Sequence, residues 1–166
     1  MSSRLPVFII AVAAAIVATQ SATDLPSAPV QPFPFSHKVH VAQRLTCKLC
    51  HEMSDPGDHA GFPAVSKCMA CHMTIAKDRP AIVALAEFAK KHEPIPWKRV
   101  YRVPGYVAFS HNAHVEKARI SCETCHGPAQ ERDVIRKEKS ISMAACVDCH
   151  KNRSASVACD YCHEMK

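Results

Sequence analysis

The sequence predicts a mostly irregular chain of short α-helices with little or no β-sheet. Three observations carry that expectation. Strand signals, the period-two runs of β-branched and aromatic residues, are nearly absent, and only 6% of the 166 residues are aromatic. Apolar side chains are scattered, so the polypeptide alone offers little to bury. Ten cysteines and eleven histidines far exceed ordinary usage for this length. A chain of this kind is expected to build its core around a metal or a prosthetic group.

Residues 1–22 read as a secretory signal: Arg4 is followed by an apolar run over residues 5–18, then small and polar residues. The run is shorter than the roughly 20 apolar residues of a bilayer span; an uncleaved N-terminal anchor is the alternative. Residues 23–34 form a lead in which Pro26, Pro29, Pro32 and Pro34 enforce extended backbone, a tether or a surface strap. A duplication follows. Phe35-Ser36-His37-Lys38-Val39-His40 precedes Cys47-Lys48-Leu49-Cys50-His51, and Phe109-Ser110-His111-Asn112-Ala113-His114 precedes Cys122-Glu123-Thr124-Cys125-His126. Residues 35–93 and 109–166 are the expected units of one compact domain. Between the repeats, Asp78 reads as a helix cap and Pro80 as its first turn, with Ile82, Leu85, Ala86, Phe88 and Ala89 on the apolar side. Pro94 and Pro96 stop that helix, and residues 94–108 read as an extended crossover carrying Trp97, Tyr101 and Tyr106. Short helical turns are expected at each remaining cysteine motif.

CxxCH occurs five times and uses every cysteine: Cys47 with Cys50, Cys68 with Cys71, Cys122 with Cys125, Cys146 with Cys149 and Cys159 with Cys162. This is the attachment signature of haem c. Two cysteines three positions apart reach the two vinyl-derived carbons on one porphyrin edge, and the next residue sits under the iron. The proximal ligands are then His51, His72, His126, His150 and His163. Zinc sites do not require a histidine after every second cysteine, and a disulfide framework requires none. Five covalently bound haems c are the expected cofactors, and they stand in for the missing core.

Six histidines remain. His37, His40, His111 and His114 lie in the two FSHxxH repeats. At i and i+3 of a helical turn their rings are close but diverge, so each pair can serve two haems. His59, nine residues before Cys68, is the fifth distal candidate. Met143 is its rival, since Met ligation would raise that haem's potential. His92, at the polar end of the central helix, is a further alternative and reads better as a surface residue.

The formal charge of +6 does not point to nucleic acid. Five haems bring roughly ten propionate charges that lysines and arginines can pair with, and no base-reading motif is present. FSHxxH ahead of CxxCH, repeated, resembles the class III multihaem cytochromes c of the c3/c7 type. The resemblance covers most of residues 33–166. It implies that both histidines of FSHxxH are distal ligands and that the haems are closely packed. The segment Pro94-Ile95-Pro96-Trp97-Lys98-Arg99-Val100, leading into Val103-Pro104 and the second FSHxxH, is similar to the pentahaem subunit of quinol-oxidising alternative complex III and to related stand-alone periplasmic cytochromes. The chain is shorter than that subunit, a departure that bears on complex membership and not on haem binding.

The function expected is that of a periplasmic pentahaem cytochrome, soluble or membrane-associated through its N-terminus, moving electrons by outer-sphere transfer. Its partners would be other cytochromes or a membrane quinol-oxidising complex, the latter holding it as a subunit. A multihaem reductase is the weaker alternative, because no CxxCK variant occurs and histidines suffice for every distal position.

Overall fold

The computed structural model describes residues 27–53 and 59–163. The expected signal segment, residues 1–22, lies outside them. The described residues form seven short α-helices: α1 (His37–Ala42), α2 (Cys47–Cys50), α3 (Val65–His72), α4 (Pro80–Lys91), α5 (Cys122–His126), α6 (Met143–Asn152) and α7 (Cys159–Cys162). A π-helix over Asn112–Lys117 precedes α5, and a 3-10 turn over Ala129–Glu131 follows it. No sheet forms among the described residues; extended segments meet only as isolated bridges, Met53 with Ala60 and Val107 with His163.

The helix expected between the repeats is the longest element. It starts one residue later than Asp78 would place it. Arg79 holds the N-cap position in extended backbone and gives no side-chain cap. Pro80 explains the shift: it forces the residue before it out of helical conformation, and it has no N–H that needs a cap. The helix ends at His92, exposed in the left-handed region at φ 56°, before the prolines are reached.

Packing around α4 supplies what core there is. Leu85 is 3% exposed and meets Phe33 and Ile95, with Val65, Met69, Ile82, Phe88 and Trp97 around them. Burying Leu85 contributes about 2 kcal/mol. Phe33 comes from the proline-rich lead, which is a docked strap over residues 27–34. Its ring lies 5.1 Å from Trp97. Gln31 clamps the crossover, donating to the Lys98 carbonyl and accepting from the Lys98 N–H, both at 3.0 Å. Ile120 is the other buried hydrophobic side chain, and no described side chain is fully buried. So small a core matches the expectation that the chain folds around something other than itself.

The second repeat has one more residue between its paired histidines and its first cysteine than the first. The π-helix absorbs it. α1 ends in ordinary turns, whereas the Ala118 N–H reaches back five residues to Ala113, as a single-residue insertion in a helix does. Beyond it the copies resume in step. Arg44 (φ 63°) and Arg119 (φ 55°) occupy the same left-handed position, and each leads into its CxxCH helix.

Candidate functional site

In both repeats FSHxxH folds into one device. Ser36 Oγ accepts from the Val39 N–H at 3.1 Å, and Ser110 Oγ from the Ala113 N–H at 3.1 Å, capping each turn. The same serines' carbonyls accept from the second histidine: His40 Nδ1 lies 2.7 Å from Ser36 O, and His114 Nδ1 2.8 Å from Ser110 O. The phenylalanine stacks on that ring, at 4.4 Å for Phe35 on His40 and 4.7 Å for Phe109 on His114. It meets the first ring edge-on, at 4.9 Å for His37 and 4.8 Å for His111. Tying Nδ1–H to a carbonyl leaves the Nε2 lone pair as the ligating atom.

The five CxxCH motifs are all helical, on α2, α3, α5, α6 and α7. Helical geometry brings both cysteines of a motif to one face with the histidine beside them. All ten thiols are free of disulfides, and the two of a motif do not share one environment. Cys47, Cys71, Cys125, Cys146 and Cys159 are exposed, whereas Cys50, Cys68, Cys122, Cys149 and Cys162 are half-buried. The polypeptide thus covers one thiol of each pair more than the other. At the 68–72 motif Cys71 is the outer thiol, and its carbonyl accepts from the Ile75 N–H at 2.9 Å and from Thr74 Oγ at 3.2 Å. Three of the motif histidines are oriented like the FSHxxH rings: His51 Nδ1 lies 2.9 Å from Gly61 O, His72 Nδ1 3.0 Å from Ile75 O and His150 Nδ1 2.6 Å from Ser156 O. Left-handed residues, Ala76 after α3 and Ser154 after α6, turn the chain back at the last two. A cleft of about 380 Å3 opens beside Cys50, lined by Gly61, Phe62, Pro63 and Ala64 among others.

The two histidine sets then meet in pairs. Ring centroids are 6.2 Å apart for His37 and His51, 6.0 Å for His40 and His72, 6.3 Å for His111 and His126, and 6.0 Å for His114 and His150. The His37/His51 and His111/His126 rings are nearly parallel, at 6° and 8°. Rings in direct van der Waals contact would lie nearer. Two imidazoles on opposite sides of one metal, with metal–nitrogen bonds of about 2.0–2.1 Å, place their centroids roughly 6.3 Å apart. The gap thus fits one iron with a porphyrin plane through it. Among the described residues, no three His, Cys, Asp or Glu side chains converge as a zinc site requires. His37 is largely buried, and its Nδ1 lacks a hydrogen-bond partner. Burial first, then the neighbouring His51 and His40, push its pKa down to about 4, so the ring is held neutral, as a ligand must be. Burial, followed by His111 and His51, also lowers His126.

The fifth motif is arranged differently. Tyr106 stacks 6.0 Å from His163 at 30°, and the Ala108 N–H donates to Cys162 O at 2.8 Å, joining α7 to the second repeat. The structure places His59 on an exposed segment beside the Met53/Ala60 bridge. Met143 is 69% exposed at the first residue of α6. His92 is the exposed C-cap of α4.

The crossover supplies a support that its sequence only hinted at. Tyr101 lies edge-on to His126 at 4.6 Å. Its hydroxyl donates to His126 O at 3.4 Å and accepts from the N–H groups of Glu138 at 2.9 Å and Lys139 at 3.3 Å. Glu138 in turn takes a two-pronged ion pair from Arg132, one prong at 3.0 Å. That hydrogen bonding holds its carboxyl below the usual carboxylate range. The role of Phe35 and Phe109 was open to view in their repetition; that of Tyr101 and Glu138 was not, because they are 37 residues apart.

Known proteins carry the same pattern. Residues 13–95, half of the chain, match the family model of the class III cytochrome C family, and residues 107–164 match that of cytochrome c7 and related cytochrome c. Among curated relatives, the multiheme cytochrome c subunit of menaquinone reductase from Nitratidesulfovibrio vulgaris is 29% identical over 81% of this chain and 77% of its own. Cytochrome c3 of Desulfuromonas acetoxidans is 39% identical over 36% of this chain and 82% of its own. The high-molecular-weight cytochrome c of N. vulgaris is 28% identical over 71% of this chain and 30% of its own. Attachment motifs on helices, histidine rings set an iron's width apart and these matches agree: this is a multihaem c-type cytochrome of electron transfer, and the chain belongs to the class III cytochrome c family.

Proposed function

We propose that this protein is a periplasmic electron carrier that holds five haems c and passes single electrons between redox partners by outer-sphere transfer. The four histidine pairs separated by one iron's width carry the reading. Each cysteine pair of the five CxxCH motifs forms the thioethers, the exposed thiols such as Cys71 included, since a porphyrin edge bound there covers them. His51, His72, His126, His150 and His163 ligate from the proximal side. His37 serves opposite His51, His40 opposite His72, His111 opposite His126 and His114 opposite His150. Opposite His163 the candidates are His59 and Met143; Met143 opens α6, the helix beside α7, whereas His59 lies two residues from Gly61, whose carbonyl holds His51. Low-spin iron bound on both faces exchanges one electron without making or breaking a bond, and bis-histidine ligation sets low potentials.

The protein's own part is to fix those ligands. The carbonyls of Ser36, Ser110, Gly61, Ile75 and Ser156 orient five of the rings through Nδ1, and burial lowers the pKa of His37 and of His126, which favours the neutral ring. With both axial positions taken, no site is left for a substrate, so the role is that of a carrier and not an enzyme. The mass of the exported protein tests this directly: the expected value is the peptide plus five haems, with a Soret band. Substituting His59 and Met143 separately should alter one haem spectrum in one variant and none in the other. Rapid binding of carbon monoxide to the reduced protein would revive a reductase.

The relative from menaquinone reductase favours a second reading, a subunit that exchanges electrons with a membrane quinone-reactive complex. Loss of the first 20 or so residues in the mature protein, about the length of a secretory signal, supports the soluble carrier. Their retention, with co-purification of membrane subunits, supports the complex. No described helix is long and apolar enough to cross a membrane.

A further inference from the structure

We infer that the five attachment sites stand in single file in the order 68–72, 47–51, 122–126, 146–150, 159–163, so that the second motif of the chain and the last are the two ends. The inference rests on the reading of five haem sites above and adds their sequence in space.

Each FSHxxH turn is a coupler. His37 faces His51 while His40, three residues on, faces His72. One helical turn therefore holds the 47–51 and 68–72 sites side by side. His111 facing His126 and His114 facing His150 do the same for 122–126 and 146–150. The halves meet through the first motif of each. Lys48, inside the first CxxCH, pairs with Glu116 on the π-helix at 2.5 Å. The sulfurs of Cys47 and Cys122 lie within hydrogen-bonding reach of one another. At the far end the Ser156 carbonyl, three residues before Cys159, holds His150 at 2.6 Å, which keeps α7 against α6.

The chain order is thus inverted at its start: the 47–51 site is interior because it must touch both its own repeat's second motif and the other half. Electron exchange with partners then belongs at 68–72 and at 159–163. Exposed apolar side chains flank both, Met73 and Ile75 at one end and Val157 and Tyr161 at the other.

The test uses the exported, haem-loaded protein. Iron positions located by anomalous scattering in a crystal should give successive nearest neighbours at His72, His51, His126, His150 and His163. An iron at His72 lying nearer to His126, His150 or His163 than to His51 overturns the order, as does an iron at His163 nearer to His126 than to His150. In solution, His40→Met should raise the potential at the 68–72 site. In a redox titration followed by NMR, its effect on the other sites should fall in the order 47–51, 122–126, 146–150, 159–163. A larger shift at 146–150 or 159–163 than at 47–51 also overturns it. Fewer than five haems by mass instead overturns the count on which the file is built.

Discussion

Ser36 and Ser110 occupy the same place in the two repeats but do not carry the same load, and alanine at each measures the difference. Both serines cap their turns through Oγ, and losing such a cap costs about 1 kcal/mol. Both also present a carbonyl to a histidine, which alanine retains. Ser36 makes one bond more: its hydroxyl donates to Asp133 Oδ1 at 2.6 Å. Beside it the Lys38 N–H donates to Arg132 O at 3.1 Å, so this contact helps seat α1 on the turn over Ala129–Glu131. A hydrogen bond to a charged acceptor is worth about 1.5–3 kcal/mol, and exposure cuts that to about 0.5–1. Ser110→Ala should therefore cost about 1 kcal/mol and Ser36→Ala about 1.5–2. At this chain length those costs lower the melting temperature by about 2–4 °C and 3–8 °C. Thermal unfolding of the haem-loaded protein, followed by far-ultraviolet circular dichroism and by the Soret band, resolves the two. Equal melting temperatures, or a larger loss for Ser110→Ala, would refute the claim that the contact with Asp133 distinguishes the copies.

Three further outcomes follow from other parts of the molecule. Gly127 sits at φ 70° and ψ −173°, a region open to glycine alone. A Cβ there would lie 3.0 Å from Glu138 Oε2 and 3.1 Å from Glu138 Cβ, so Gly127→Ala should cost about 2–3 kcal/mol in denaturant unfolding; a midpoint equal to the parent's contradicts this. Tyr101→Phe removes the acceptor of two backbone N–H groups and should cost about 1–2 kcal/mol. It should also change the electron paramagnetic resonance signal of one haem, the one proposed to bind His126, and an unaltered spectrum would deny Tyr101 any part in positioning that ring. For pH, His37 has its folded pKa pushed from 6.5 down to about 4. The fold prefers the neutral ring, so its contribution is complete above pH 6.5 and is lost as pH falls from about 6.5 towards 4, where the unfolded chain takes up a proton that the folded one refuses. The proposed iron ligation by His37 would act in the same direction. Melting temperatures measured across that window should decline, and a flat profile contradicts the assignment.

Attachment motifs could be read from the chain because attachment is local. Two thiols and an imidazole within five residues need only one helical turn to converge, and α2, α3, α5, α6 and α7 each supply it. The FSHxxH pairs were legible for the same reason. Which thiol of a pair lies outward, as Cys71 does and Cys68 does not, was not legible, because it depends on what packs against the helix. Local rules also misled: Asp78 looks like a cap, yet Pro80 makes Arg79 the boundary residue. The π-helix could be seen only as a spare residue, since a loop can take up a one-residue insertion as easily as a helix.

By itself, then, the sequence determined how many attachment motifs there are, where the family resemblance lies and which histidines stand ready. Only the tertiary structure decided which ring faces which. The facing ring comes from a segment 14 to 36 residues away, as with His37 and His51 or His114 and His150, and no periodicity encodes which distant turn will come to rest across a gap of about 6 Å. That choice depends on how α1 and the π-helix lie against the motif helices. Those placements follow from Phe33, Leu85 and Ile95 packing together, from Lys48 meeting Glu116 and from Ser36 reaching Asp133, contacts that exist only once the chain has closed on itself.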